Sequence, residues 1–358
     1  GLGDVYKRQV WEKHKKSRRK NDDKFRFSCF TFYLVNGIVN GGWYSKETIP
    51  DCTPQIEQAI AGDHMRIGFI GAGKVGFTLG KYLEQKLNKE EIQKNLPETV
   101  TVSGYYSRQV ESAKEAAAFT NTEAFDDLKK IVCASDVLML TVPDGRIEAV
   151  WDSIKAFDIK GKLICHCSGA MTSNIFSGVT EAGAFGYSIH PMYAISSTTK
   201  SYREMQKCFF TVEGAEEWGN KLCRFIRLLG NDCVLLSTEN KTKYHAAAVF
   251  ASNLVNGLYG SAVSLLEDCG FEEKQAEQAL VPLFMGNASH IAEDGPVAGL
   301  TGPIERNDTT TVKKHLNVLD ANEKHIYISV SGAVLALAEQ KYPNRDYSEM
   351  KKILSGQE

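Results

Sequence analysis

Met65-Arg-Ile-Gly-Phe-Ile-Gly-Ala-Gly-Lys-Val-Gly-Phe-Thr-Leu-Gly80 decides how the rest of this 358-residue chain is read. Ile67, Phe69 and Ile70 make a short apolar run suited to a buried parallel strand, and Val75, Leu79, Tyr82 and Leu83 then recur at helical spacing. Between them lies Gly71-x-Gly73-x-x-Gly76. Strand, glycine turn and helix in that order form a dinucleotide-binding unit. The first glycine permits the turn, the second lets backbone approach a pyrophosphate, and the third lets helix pack on strand. Phosphates sit on such a helix N-terminus, so Gly71, Gly73, Lys74, Val75 and Gly76 are the expected cradle.

Downstream, strand and helix patterns alternate as in a doubly wound sheet. A second strand, Thr99 to Gly104, leads into Tyr105-Tyr106-Ser107-Arg108, and no carboxylate follows until Glu111. An acid at this tip would hydrogen-bond the ribose 2′-hydroxyl of NAD, whereas Ser107 and Arg108 suit a 2′-phosphate, so NADP is expected over NAD. Further strands are expected near Ala124 and over Val137–Val142, Lys162–Cys167, Phe185–Ile189, Cys208–Val212 and Cys233–Leu236, the last two flanking a helix from Ala215 to Leu229. Val142 and Pro143 fall on the nicotinamide side of the crossover, and Asp144 reads as a structural cap for the helix that Ile147 and Val150 continue. His166 and Ser168 share a face at the end of one strand, and His190-Pro191 ends the next, where ligands of open α/β sheets sit.

From Ser237 the pattern turns helical to the end of the chain, with one long helix expected from about Glu239 to Asp268 before Gly270. Lys241, His245, Ser252 and Asn253 fall near one stripe of that helix, and the residues between them are small or apolar. So apolar a helix is expected to be buried, with its polar stripe lining a cavity. Arg306, in Leu300-Thr-Gly-Pro-Ile-Glu-Arg-Asn-Asp308, is a candidate for an anionic group, and Asp308 should cap the helix Thr309 to Leu319. Asn322 to Glu339 is the last helix expected.

A net charge of -2 argues against a nucleic-acid partner, and no apolar run comes near the roughly 20 residues of a membrane span. Nine cysteines without Cys-x-x-Cys spacing fit reduced thiols and a cytoplasmic protein. In Cys165-His-Cys167 the cysteines point one way along a strand and His166 the other, so no metal is expected. Residues 1–64 hold no steady period; Gly1 to Gln9 resembles translated sequencing adapter, and Met65 would make a natural start. They are read as an extension that is non-native or disordered.

From Met65 to about Val318 the chain resembles the Rossmann-like oxidoreductases whose C-terminal helical domain remains of unknown function. The resemblance rests on Gly71-Ala-Gly-Lys-Val-Gly76, Tyr106-Ser-Arg108, Thr141-Val-Pro-Asp144, His166-Cys-Ser-Gly169, His190-Pro191, Tyr244-His-Ala-Ala-Ala-Val-Phe-Ala-Ser-Asn253 and Leu300-Thr-Gly-Pro-Ile-Glu-Arg306. More distantly it is similar to pyrroline-5-carboxylate reductase, the deazaflavin-linked NADP reductases and the β-hydroxyacid dehydrogenases. These relatives imply a Rossmann-type NADP domain over 65–236, an all-α domain over 237–358 that often forms the dimer, and an active site in the cleft between them. In the hydroxyacid dehydrogenases a lysine, with an asparagine one turn later, handles the substrate oxygen. Lys241 holds the lysine place here, and His245 stands where the asparagine would be.

The expectation is an NADP-dependent oxidoreductase acting on a small carbonyl, hydroxyl or imine compound. Lys241, His245 and His190 are the candidates for proton transfer, His166 and Ser168 lie near the nicotinamide, and Ser252, Asn253 and Arg306 meet the substrate. The alternative is a non-catalytic NADP-binding sensor. An S-adenosylmethionine methyltransferase is disfavoured, because the second strand ends in Tyr-Ser-Arg where the ribose would need an acid.

Overall fold

In the computed structural model, which describes residues 64–356, the apolar runs become a single eight-stranded sheet in the order β3-β2-β1-β4-β5-β6-β7-β8. The expected extension over residues 1–64 lies, apart from His64, outside the described residues. The strands are β1 (His64–Ile70), β2 (Thr99–Tyr106), β3 (Glu123–Phe125), β4 (Val137–Leu140), β5 (Leu163–His166), β6 (Phe185–Met192), β7 (Phe209–Gly214) and β8 (Cys233–Leu235). Between them run α1 (Lys74–Leu87), α2 (Glu90–Asn95), α3 (Val110–Thr120), α4 (Leu128–Ala134), α5 (Ile147–Ile154) and α6 (Glu216–Leu228). All four residues of β4 are buried, as a parallel strand covered by helices on both faces requires. Leu138, Leu140 and Ile164 of the sheet form one core with Ile147, Trp151 and Ile154 of α5. The doubly wound fold is thus observed. Its departure is at the far edge, where β7 runs antiparallel to β6 and β8 then pairs parallel with β7.

The helical part comprises α7 (Lys241–Phe250), α8 (Asn253–Asp268), α9 (Glu273–Ala298), α10 (Thr309–Val318), α11 (Ala321–Lys341) and α12 (Ser348–Ser355). Asp308 caps α10 as expected, accepting from Thr311 N–H at 3.0 Å. The single helix expected from Glu239 to Asp268 is instead two. Ser252 donates its hydroxyl to Ala248 O at 2.7 Å, taking the acceptor its own N–H would use, and that N–H turns to Val249 O. The chain leaves helical geometry there, at φ −133° and ψ −79°.

Burial is also the reverse of the expectation. Only Lys241 is buried on α7, and no residue of α8 is. Phe250 is 70% exposed and Leu283 of α9 72%, with Leu254, Leu258 and Met285 exposed beside them in sequence. The 31-residue segment Thr238–Asp268 is moreover long and apolar enough to cross a membrane, against the sequence reading that no run comes near it. The break at Ser252 divides it into helices of 10 and 16 residues, each short of the roughly 20 a span needs. A separate apolar core, Val312, Leu335, Tyr347, Met350 and Ile353, joins α10, α11 and α12. Neither α12 nor its contribution to this core was expected from the sequence.

Candidate functional site

The three glycines of the first turn have three different surroundings. Gly71 sits at φ +115°, where a Cβ would lie 2.7 Å from the Thr141 backbone, so only glycine makes this turn without strain. A Cβ on Gly76 would lie 2.3 Å from Gly71 O, and the absence of one lets α1 close onto β1. On Gly73 it would meet nothing within 4 Å. The middle position, where a diphosphate would approach, is therefore open, and α1 presents its first-turn N–H groups there without a side-chain cap. Thr141 Oγ1 donates to Gly71 O at 2.7 Å and ties the turn to the end of β4. Lys74 and Arg108 are exposed at this edge, Val75, Ser107 and Val142 half-buried, and Pro143 exposed. Ser107 Oγ accepts from Gln109 N–H at 3.3 Å. These residues fit a dinucleotide in that the Gly73 face is free of neighbours and the N-terminus of α1 carries no side-chain cap.

The turn after β5 is held from within. His166 is fully buried; its Nε2 donates to Thr172 O at 3.2 Å and its Nδ1 accepts from Ser168 N–H at 3.2 Å. Both ring nitrogens are thus engaged by backbone, and burial lowers the imidazole pKa, so the ring is a neutral brace. Ser168 Oγ accepts from Ala170 and Met171 N–H and donates to Asp144 Oδ2 at 2.7 Å. Asp144 was expected to cap the following helix. It makes no such cap, because its carboxylate reaches across to Ser168 instead.

Beyond this turn, β6 and β7 present one polar face to α7. Cross-strand partners of an antiparallel pair point the same way, so Ser188 with Glu213 and His190 with Thr211 share that face. Lys241 lies on it. Its side chain is fully buried, and Nζ donates to Ser188 Oγ at 2.7 Å, which in turn donates to Ser168 O at 3.1 Å. Burial lowers the Lys241 pKa to about 8. His190 Nδ1 lies 2.6 Å from Tyr244 Oη, and burial, together with the nearby Lys241 and His245 charges, lowers its pKa to about 4. An imidazole so placed is neutral at pH 7. His245 brings Nδ1 to the same spot: a Cβ on Gly169 would stand 2.8 Å from it and 2.9 Å from His190 Nε2. That Nδ1 is buried and has no hydrogen-bond partner.

Glu213 was not singled out from the sequence. Fully buried, it accepts from Ser173 N–H at 2.8 Å, Ser173 Oγ at 2.9 Å and Thr238 Oγ1 at 2.7 Å. Ser188 was missed with it. The only signal was the alternation of Ser188 and His190, two polar residues two apart in an otherwise buried strand. Of the sequence candidates, the structure brings together Lys241, His190 and His245. Ser252 and Asn253 do not join them, since both are exposed beyond the break in the helix and bond to each other and to Ala248. Arg306 is likewise exposed. Among the described residues no cluster of histidines, cysteines and carboxylates could hold a metal ion.

Residues 51–191 match the model of the Rossmann-like domain, and residues 208–334 match that of a domain of unknown function, DUF2520. The chain is a Rossmann-like protein with a C-terminal DUF2520 domain. The second match begins inside the sheet, at the edge of β7, so the DUF2520 model takes in Glu213 as well as Lys241. No curated protein sequence matches the chain. Among solved structures, protein TM1727 from Thermotoga maritima is 22% identical and superposes with a TM-score of 0.60 over 77% of this chain and 99% of its own. The Bacteroides fragilis protein BF3122, named as a candidate NADP oxidoreductase, is also 22% identical, with a TM-score of 0.54 over 78% and 99%. A reductive aminase from Aspergillus terreus in complex with NADPH and ethyl-5-oxohexanoate, 12% identical, reaches 0.50 over 81% and 99%. At these identities the likeness is one of fold.

Proposed function

We propose that this Rossmann-like DUF2520 protein is an NADP-dependent oxidoreductase that moves hydride to or from a small carbonyl, hydroxyl or imine compound. One observation carries the reading. A fully buried lysine amine and a neutral histidine meet beside the carboxyl ends of β5 and β6, along the edge that also bears the open glycine turn. The named relatives from Bacteroides and Aspergillus add support at the level of fold.

When bound, the dinucleotide supplies or accepts the hydride. The turn Gly71 to Gly76 and the first N–H groups of α1 hold its diphosphate, and Ser107 with Arg108 takes the 2′-phosphate. Lys241 Nζ gives up or receives the proton that balances the charge left on the substrate heteroatom, a role suited to an amine whose pKa lies near 8. His190 Nε2 and His245 Nδ1, which flank Gly169, orient that heteroatom. Ser252, Asn253 and Arg306 are exposed, and the step as written assigns them no proton or hydride. The exposed apolar residues Phe250, Leu254 and Leu283 are the basis for proposing a homodimer through α7, α8 and α9.

Two measurements test the reading. NADPH fluorescence should change on titration, with weaker binding in Arg108→Ala; no binding at all rejects the cofactor. Deuterium from 4-deuterated NADPH should appear in the product of at least one member of a broad carbonyl and imine panel. Tight NADPH binding without any transfer would favour the sensor.

A further inference from the structure

Lys241 and Glu213 are, among the described residues, a fully buried ammonium and a fully buried carboxylate on one face of β6 and β7. They have no direct contact. Ser188 stands between them, opposite Glu213 in register and bonded to Nζ. A dry carboxylate served only by a backbone N–H and two hydroxyls still lacks a counter-charge, and a dry ammonium served by one hydroxyl lacks one too. We infer that Glu213 is the positioning residue of this site, holding Lys241 charged and in place across Ser188 so that it can serve as the proton donor. The inference rests on the oxidoreductase reading for the donor's purpose, though not for the charge pairing itself.

The other groups facing Lys241 leave the role to Glu213. Burial pushes the Cys167 thiol up to about 12, so it carries no charge at ordinary pH. His166 and His190 are held below the usual imidazole range and are neutral. Tyr244, whose ring centroid lies 5.4 Å from Nζ, has its phenol pKa raised by burial. His245 lies on the next turn position and would add only a like charge. Asp144 is an anion, but it is exposed to water and bonded to Ser168. That leaves one desolvated negative charge.

The test reads the amine directly and requires neither cofactor nor substrate. In protein labelled with ¹³C and ¹⁵N at lysine, the Lys241 side-chain signal, assigned by its loss in Lys241→Met, is followed by NMR against pH. In Glu213→Gln its midpoint should fall by about one unit or more, since an opposite charge at close range favours the charged form by about that much. Glu213→Asp should keep most of the wild-type value, and it is the variant to read if the glutamine form folds poorly. A folded Glu213→Gln should also move the alkaline limb of the reduction rate to lower pH by the same amount, with NADPH affinity unchanged, while Glu213→Asp should leave that limb close to the wild-type position. An unmoved Lys241 midpoint in folded Glu213→Gln overturns the inference even where hydride transfer is observed. A moved midpoint with no transfer to any substrate upholds the pairing and rejects the enzyme reading.

Discussion

Two ends of the segment Thr238–Asp268 bury the opposite of what their chemistry suggests. At the start of α7 a lysine is shut away from water, while on either side of Ser252 Phe250 and Leu254 face it. Burying an ammonium is unfavourable by several kcal/mol unless partners are built for it, and the α7 end supplies such partners where the proposed chemistry would take place. Exposing Phe250, Leu254 and Leu283 wastes apolar area that a second surface would recover at about 25 cal/mol per Å². One end is complete within the chain. The other leaves apolar side chains uncovered, the surface through which the proposed homodimer would form.

The contrast breaks most visibly at Lys241. Lys241→Met should lower turnover by about two to four orders of magnitude. It should also destabilise the fold by about 3–5 kcal/mol, because Glu213 is left buried without its counter-charge. Adding Glu213→Gln should recover most of that stability in chemical denaturation and none of the activity. A single variant as stable as wild type would mean that the two charges do not sense each other.

The next largest effect lies in the glycine turn, where the same logic separates two neighbours. Gly76→Ala places a methyl group against Gly71 O and should be unfavourable by about 1–3 kcal/mol, read as a lower Tm. Gly73→Ala meets open space, so stability should stay within about 0.5 kcal/mol while NADPH affinity falls. Equal losses of stability in both would remove the case for a ligand at Gly73.

At the apolar end, Leu283→Asp should shift the sedimentation coefficient toward a monomer without lowering the Tm of the isolated chain. An unchanged coefficient in both proteins would sink the homodimer. The smallest effect concerns pH. His190 has its folded pKa near 4 against an ordinary 6.5, so as pH falls below 6.5 the unfolded chain takes up a proton that the folded one refuses. Stability should therefore drain away between pH 6.5 and 4, and His190→Gln should flatten that acid slope in thermal melts.

What could be read in the sequence was local. Gly71, Gly73 and Gly76 encode strand, turn and helix within a few residues, and the apolar runs of β4 and β5 declare parallel strands because such strands are buried on both faces. Alternation, however, has no direction, and nothing in Phe209 to Gly214 announces that β7 runs backwards. Glu213 next to Gly214 reads as a polar residue at a strand end, and its meaning comes from Lys241, 28 positions later (241 minus 213). The break at Ser252 was hidden for a different reason. Neither glycine nor proline marks it, and a serine hydroxyl competing for a carbonyl looks like any other serine in a helix. Asp144 was misread because a cap is the commonest use of an aspartate before a helix, and only the fold reveals Ser168 within its reach.

The carboxylate of Glu213 also ties together segments that the sequence keeps apart. Ser173 reaches it from 40 positions upstream and Thr238 from 25 downstream, while Lys241 finds Ser188 across 53. Each segment arriving alone would strand a charge in a drying face, so none of these contacts rewards the chain until the others are in place. This corner therefore closes as one cooperative unit, in which β6, β7, the turn after β5 and the start of α7 support one another. The part of the molecule assigned its chemistry is the part in which no single contact stands without the others.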